Sequence, residues 1–83
     1  MWRAEIHVTL KDKVLDPQGK AVKNSLESLG YGAVEKVRIG KYFEVVLDTD
    51  VRAEAERQLD EICRRVLVNP VIEQYTYQLA EVL

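Results

Sequence analysis

The stretch Glu35-Lys36-Val37-Arg38-Ile39-Gly40-Lys41-Tyr42-Phe43-Glu44-Val45 lies at the middle of the chain, and its reading decides the fold. Short runs of Val, Ile, Tyr, Phe and charged residues flank Gly40, the pattern of two strands joined by a tight reversal. Gly40 is the residue there that reaches positive φ without steric cost, and Lys41 keeps the tip wet. A two-residue loop sets Arg38 opposite Phe43 and Lys36 opposite Val45, with charge beneath the apolar face. A three-residue loop from Ile39 to Lys41 pairs Val37 with Phe43 and Ala33 with Leu47, which suits one buried face better. The longer loop is therefore expected.

Working outward, Trp2 to Leu10 alternates with period two. Trp2, Ala4, Ile6, Val8 and Leu10 share one face, and Arg3, Glu5, His7 and Thr9 the other. A helix follows, with Asp16 as N-cap, Pro17 at its first position, and Val22, Leu26 and Leu29 as a core stripe. Gly30 is the expected C′ residue. Gly19 in the first turn weakens a helix by about 1 kcal/mol relative to alanine. It is either tolerated for packing or serves a close backbone approach by another chain or a ligand phosphate.

Beyond the hairpin, Asp50 is the expected cap of a second helix with Ala55, Leu59, Ile62, Cys63 and Val66 on its inner stripe. Glu61–Arg65 and Asp60–Arg64 are spaced as i,i+4 ion pairs on its outer face. Asn69-Pro70 stops that helix. A last strand alternates Val71, Glu73, Tyr75, Tyr77 and Leu79 against Ile72, Gln74, Thr76 and Gln78; residues 80–83 extend it or fray. The order is β-α-β-β-α-β, an α+β two-layer sandwich with a four-stranded antiparallel sheet and both helices on one face. The uncovered face, with Arg3, Glu5, His7, Thr9, Ile72, Gln74, Thr76 and Gln78, is one that a second copy can cover in a two-fold dimer.

The 83 residues fit one domain, 1–83, that buries only roughly 60–65% of its unfolded surface. Cys63 is the single cysteine and no secretory leader precedes the first strand, so disulfides are not expected. Cys63 and His7 are the only soft ligands, too few for zinc. Association remains as a source of stability. Fourteen acidic against twelve basic residues argue against a nucleic-acid partner, and no apolar run is long enough to span a membrane.

Nothing in this pattern assembles into an active site. His7 is flanked by Glu5 and Thr9 on one strand face, but no nucleophile is placed beside it; it reads as an exposed or interfacial histidine. Cys63 falls on the apolar stripe and reads as a small hydrophobe. Tyr75 and Tyr77 read as core or rim packing. Gly30-Tyr31-Gly32 lacks the strand-to-helix context of a phosphate loop. A binding or assembly module is the residue-level reading.

Three blocks carry a resemblance. They are Leu10-Lys11 through Val14-Leu15-Asp16-Pro17-Gln18-Gly19-Lys20-Ala21-Val22, then Val37-Arg38-Ile39-Gly40-Lys41-Tyr42-Phe43-Glu44, then Asn69-Pro70-Val71-Ile72-Glu73. In order and spacing the chain resembles PurS, the small subunit of bacterial and archaeal phosphoribosylformylglycinamidine synthase. The resemblance implies a cytoplasmic chain without catalytic residues or cofactors of its own, forming a homodimer or a dimer of dimers. Its implied partners are a glutaminase subunit, which releases ammonia, and a synthetase subunit, which uses ATP and magnesium to activate formylglycinamide ribonucleotide. Asp16, Gln18, Arg38, Gly40, Lys41 and Asn69 are the residues it singles out for partner contact or its scaffolding. The competing reading of the same topology is a free-standing regulatory domain that binds a small molecule.

Overall fold

The computed structural model describes residues 1–82. Strand β1 (Trp2–Leu10) is followed by helix α1 (Pro17–Ser28), strand β2 (Gly40–Leu47), helix α2 (Arg52–Ile62) and strand β3 (Glu73–Glu81). The sheet has three strands in the order β2-β1-β3, both neighbours antiparallel to β1. This corrects the four-stranded expectation, and the reason lies in the central stretch. Gly40 does not reverse the chain. It pairs with Thr9, Lys41 pairs with Val8, and β2 runs on to Leu47 opposite Trp2. Residues 34–39 join no ladder. The expected pairs of Val37 with Phe43 and Ala33 with Leu47 are absent within the chain.

Gly40 is needed for a different reason from the one expected, since the only positive φ in the described backbone is at Gly30. A Cβ at Gly40 would be driven into the Val8 carbonyl and to 2.9 Å from Thr9 Cγ2. Gly30, at φ 97°, does what a C′ glycine does. Its N–H bonds to the Glu27 carbonyl (3.1 Å) and that of Tyr31 to Leu26 (3.0 Å), a full Schellman closure of α1.

The alternation of β1 holds. Ala4, Ile6 and Val8 are completely buried on one face, together with Ala55, Leu59 and Cys63 from the second helical region. Trp2, Phe43, Val45, Tyr75, Tyr77 and Leu79 ring that core and are only partly covered. Helix α2 lies over this face. Its ion pairs include Arg65–Glu61 at 2.9 Å, but Arg64 donates to the Asp60 backbone carbonyl (3.2 Å) instead of the carboxylate. The N-cap is Val51, not Asp50. Ala55 N–H closes on the Val51 carbonyl, so the helix begins one residue late for the Asp50 side chain to cap it. The helix loosens into a π-helical stretch, Cys63–Leu67, closed by Val68 N–H to Cys63 O at 2.9 Å. The Asn69 carbonyl then accepts from Ile72 (3.2 Å) and Glu73 (2.7 Å). Its side-chain oxygen accepts from Val71 (3.1 Å). Val71 and Ile72 are thereby drawn into a turn, so β3 starts later than expected. Leu83, the end of the expected extension, lies outside the described residues.

The second correction concerns α1. Its stripe is not core. Gly19 is its only buried residue, and no α1 side chain belongs to the core or its rim. Leu29 is 74% exposed and Val22 40%. The helix stands off the sheet, and the chain is long and thin, 50 × 29 × 14 Å. Its radius of gyration is 16.4 Å, where a compact chain of this length has roughly 12 Å.

Candidate functional site

The Thr9–Gly40 end of the sheet collects the residues that sequence reasoning singled out. Asp16 leaves the loop after β1 with its carboxylate buried. One oxygen caps α1 by accepting from Gly19 N–H (2.9 Å), and the other accepts from Ile39 N–H (2.9 Å). One side chain thus ties the start of a helix to the entry of a strand 23 residues away. Gly19 makes this possible: a Cβ there would overlap the Val37 carbonyl and come within 2.8 Å of Asp16 Oδ2. The close approach weighed for Gly19 is therefore packing by its own chain.

Arg38 spreads its guanidinium over the end of β1. It donates to the carbonyls of Leu10 (3.0 Å), Lys11 (2.7 Å) and Val14 (3.3 Å). These carbonyls belong to the last residue of β1 and to the loop that follows it, and a planar multi-donor group is the side chain able to gather them. Arg38→Lys is therefore expected to behave as a loss of function at this joint. It should lower stability by about 1–3 kcal/mol, since the three carbonyls are shared between two separate guanidinium nitrogens and a compact ammonium has no such planar fork. Chemical denaturation of the two proteins measures the difference.

Gly40, Lys41, Gln18 and Asp16 border a cleft of about 190 Å³ that Glu73 closes from β3. Lys41 Nζ sits 3.5 Å from Glu73 Oε2, and Glu73 Oε1 accepts from Asn69 N–H at 2.8 Å. Four of the six expected residues therefore line one cleft at this end of the sheet, Arg38 stands beside it over the end of β1, and Asn69 joins through Glu73. Glu73 was missed, because nothing local marks a strand residue that bridges two distant loops. Asp16, Arg38 and Gly40 spend their polar groups or close contacts within the chain and act as scaffold. Gln18, Lys41 and Asn69 are exposed.

The polar face of the sheet is open. His7 meets Tyr42 with ring centroids 5.0 Å apart. Burial, and then the charges of Glu5 and Glu44, push the Tyr42 hydroxyl up from its ordinary value. Glu5 and Glu44 stand directly opposite each other on β1 and β2, a like-charge pair that a sheet pays for. Cys63 is buried, and desolvation followed by Asp60 raises its thiol, which leaves it unreactive. Among the described residues no group of three or more His, Cys, Asp or Glu side chains gathers to hold a metal ion, and no helix is long and apolar enough to cross a membrane.

Asp16 also sets a pH dependence. The Ile39 N–H and then the Gly19 N–H hold its carboxyl below the ordinary 3.8, with a smaller contribution from Arg38 against desolvation. A carboxyl depressed in the folded state favours folding above its unfolded pKa, and that contribution disappears as pH falls through the folded value. Glu54, held at about 2 chiefly by its hydrogen bonds to Arg57 and Gln58, adds a contribution of the same sign on the surface of α2. The melting midpoint is expected to be flat from pH 7 to about 5 and to fall below about 4. In Asp16→Asn that acid limb is shallower, with a lower plateau. Equal slopes in thermal melts of the two proteins would exclude the tether.

The model of the family described as PurS, phosphoribosylformylglycinamidine (FGAM) synthase, matches residues 3–81. The chain belongs to the PurS family. It is similar to the PurS subunit of Bacillus subtilis, 42% identical over 87 residues, covering all of this chain and 98% of that one. It is also similar to that of Synechocystis, 46% identical over 78 residues, covering 94% and 78%. The structure of B. subtilis PurS superposes with a TM-score of 0.88 over 98% of this chain and all of that one, at 42% identity. A chain in the structure of PurLQS from Thermotoga maritima does so at 0.87 with 26% identity, over 95% and 96%. In this PurS chain the Asp16, Arg38 and Gly40 constellation is thus internal scaffolding that leaves Gln18, Lys41 and Asn69 facing outward.

Proposed function

We propose that this chain is the non-catalytic assembly subunit of a cytoplasmic phosphoribosylformylglycinamidine synthase in de novo purine biosynthesis. It bridges the glutaminase and synthetase subunits so that ammonia released by the first reaches formylglycinamide ribonucleotide on the second. The observation that carries this reading is the near full-length likeness to a chain of the T. maritima PurLQS structure. The surface agrees with it. The open polar sheet face and the exposed Gln18, Lys41 and Asn69 offer hydrogen-bonding area for protein contact. ATP and magnesium belong to the synthetase subunit.

The same chain associates with itself, as a dimer or a dimer of dimers. An amphipathic helix with Val22 and Leu29 in water and a rim of half-covered aromatics is an arrangement that a second copy relieves. Sedimentation of the purified chain with the two enzyme subunits, in the presence of glutamine, tests the bridge. One boundary containing all three polypeptides is expected, and separation of the two enzymes when this chain is left out. Co-sedimentation of the enzymes without it refutes the bridging role.

A further inference from the structure

We infer that the outer edge of β3 receives an extended segment of an enzyme subunit, one that alternates apolar and polar residues and sets a lysine or arginine against Asp60. This rests on the bridging role proposed above and assigns a surface to it. The direction of the backbone groups, the make-up of the strand and the charge beside it lead to the same place.

Lys11 N–H donates to the Ile72 carbonyl (2.8 Å) and Val82 N–H to the Met1 carbonyl (2.9 Å), so residues 72 and 82 turn backbone groups toward β1. In an antiparallel ladder every second residue does so. Gln74, Thr76, Gln78 and Ala80 therefore bond to β1, and Tyr75, Tyr77 and Leu79 direct their N–H and C=O groups away from it. The one neighbour of β3 in the sheet is β1, and among the described residues no other backbone group bonds to Tyr75, Tyr77 or Leu79. The register runs without a bulge from Glu73 opposite Leu10 to Glu81 opposite Trp2. Exposed edges are commonly guarded by lysine, proline or a bulge. Between Glu73 and Glu81 this one has no charge, no proline and no glycine. It is a straight, unguarded edge of Tyr, Thr, Gln and Leu, the form that accepts an added strand.

The side chains along that edge say what the added strand carries. Tyr75 and Tyr77 lie nearly parallel, with ring centroids 6.5 Å apart, and with Leu79 they pack on the core while staying half-covered. A residue added opposite any of these three lands on that apolar rim, and one opposite Gln74, Thr76 or Gln78 falls on the polar face. Helix α2 supplies the charge. Burial, and then the charges of Asp60 and Glu56, push the Tyr77 hydroxyl up from its ordinary value, so both carboxylates stand close to this strand. Glu56 is held by Arg52 at 3.0 Å. The Asp60 carboxylate has no ion-pair partner among the described residues, since Arg64 turns to the Asp60 backbone carbonyl (3.2 Å). A long basic side chain opposite Tyr77 can lay its stem on the ring and bring its head to Asp60. A second β3 cannot meet that need, because residues 73–81 contain no lysine, arginine or histidine.

Amide hydrogen exchange, resolved residue by residue, tests the edge in the chain alone and in its complex with both enzyme subunits. Alone, Gln74, Thr76 and Gln78 should exchange slowly, and Tyr75, Tyr77 and Leu79 fast. In the complex the second set should slow on the order of tenfold or more, so that the alternation disappears. A complex that keeps the alternation overturns the edge and leaves the bridge standing, whereas failure to form any complex removes the bridge as well. Protection of Tyr75, Tyr77 and Leu79 in the chain alone gives the edge to a second copy and contradicts the inference. A second measurement uses Cys63, the single cysteine, to join residues 1–62 to a synthetic 63–83 whose Tyr77 nitrogen carries a methyl group. That change removes one outward N–H and keeps the side chain and the β1 ladder. Affinity for the enzyme subunits should fall about tenfold relative to the unmodified ligated chain; an equal affinity contradicts strand addition. Asp60→Asn should weaken the complex about threefold and flatten its salt dependence. An unchanged affinity and salt dependence would contradict the basic residue placed there.

Discussion

Gly40→Val abolishes the folded state. The β2 ladder begins where the backbone of Gly40 lies against the Val8 carbonyl, and any Cβ at that position overlaps it. A carbonyl inside a ladder cannot swing aside as the end of a flexible side chain does. The overlap is therefore relieved only by lifting β2 off β1, which exposes Ile6 and Val8 and leaves Phe43 and Val45 without the sheet. A domain of this length has roughly 4–12 kcal/mol of stability in total, and losing one of its two ladders exceeds that. Circular dichroism and an amide correlation spectrum of the variant are expected to show a collapsed or unfolded chain. Gly32→Ala is the control, because a Cβ there meets nothing within 4 Å and needs no positive φ; it should be indistinguishable from wild type. A well-dispersed, native-like spectrum for Gly40→Val would mean that the close contact is not a constraint.

Leu59→Ala is the second large effect. Leu59 is completely buried between α2 and the inner face of β1, beside Ile6 and Val8. Truncation removes its methyl groups from the core and leaves a cavity that the sheet cannot close, since Ala4 and Ala55 are already the smallest side chains at that layer. Buried Leu→Ala changes cost about 2–5 kcal/mol, a large share of the total here. Denaturant titration should show the midpoint lowered by a third or more with an unchanged slope. The half-exposed Val22 gives the contrast: Val22→Ala should leave the stability of the isolated protomer nearly unchanged and weaken association instead.

What was legible in the sequence was local. The alternation in Trp2–Leu10 identified β1 and its buried face, Asp16-Pro17 marked the start of α1, and Gly30 its end, because these depend on neighbours within a few residues. The inner stripe through Ala55, Leu59 and Cys63 placed α2 in the same way. Strand count was not legible. The alternation of residues 33–39 records that the segment suits a ladder, but it holds no information on whose edge is available. Gly40 was singled out correctly and explained wrongly: a glycine that turns and a glycine that admits a neighbouring carbonyl look alike in one dimension. The same applies to Val22, Leu26 and Leu29, whose spacing marks an apolar face without saying which surface meets it. At the site, Asp16, Arg38 and Gly40 stood out through the blocks that carry the family resemblance, and Asp16 also as the cap of α1. Glu73 did not, because its role comes from joining Asn69 to Lys41 across the sheet.

The most direct test of the claim that this chain assembles an enzyme without performing chemistry is the rate of amidine formation by reconstituted glutaminase and synthetase subunits. It is measured with and without the chain, first on glutamine and then on ammonium. Loss of the glutamine-dependent rate on omission, with ammonium-dependent turnover largely retained, is the predicted result. An unchanged glutamine-dependent rate in its absence, or turnover by the chain alone, would contradict the account.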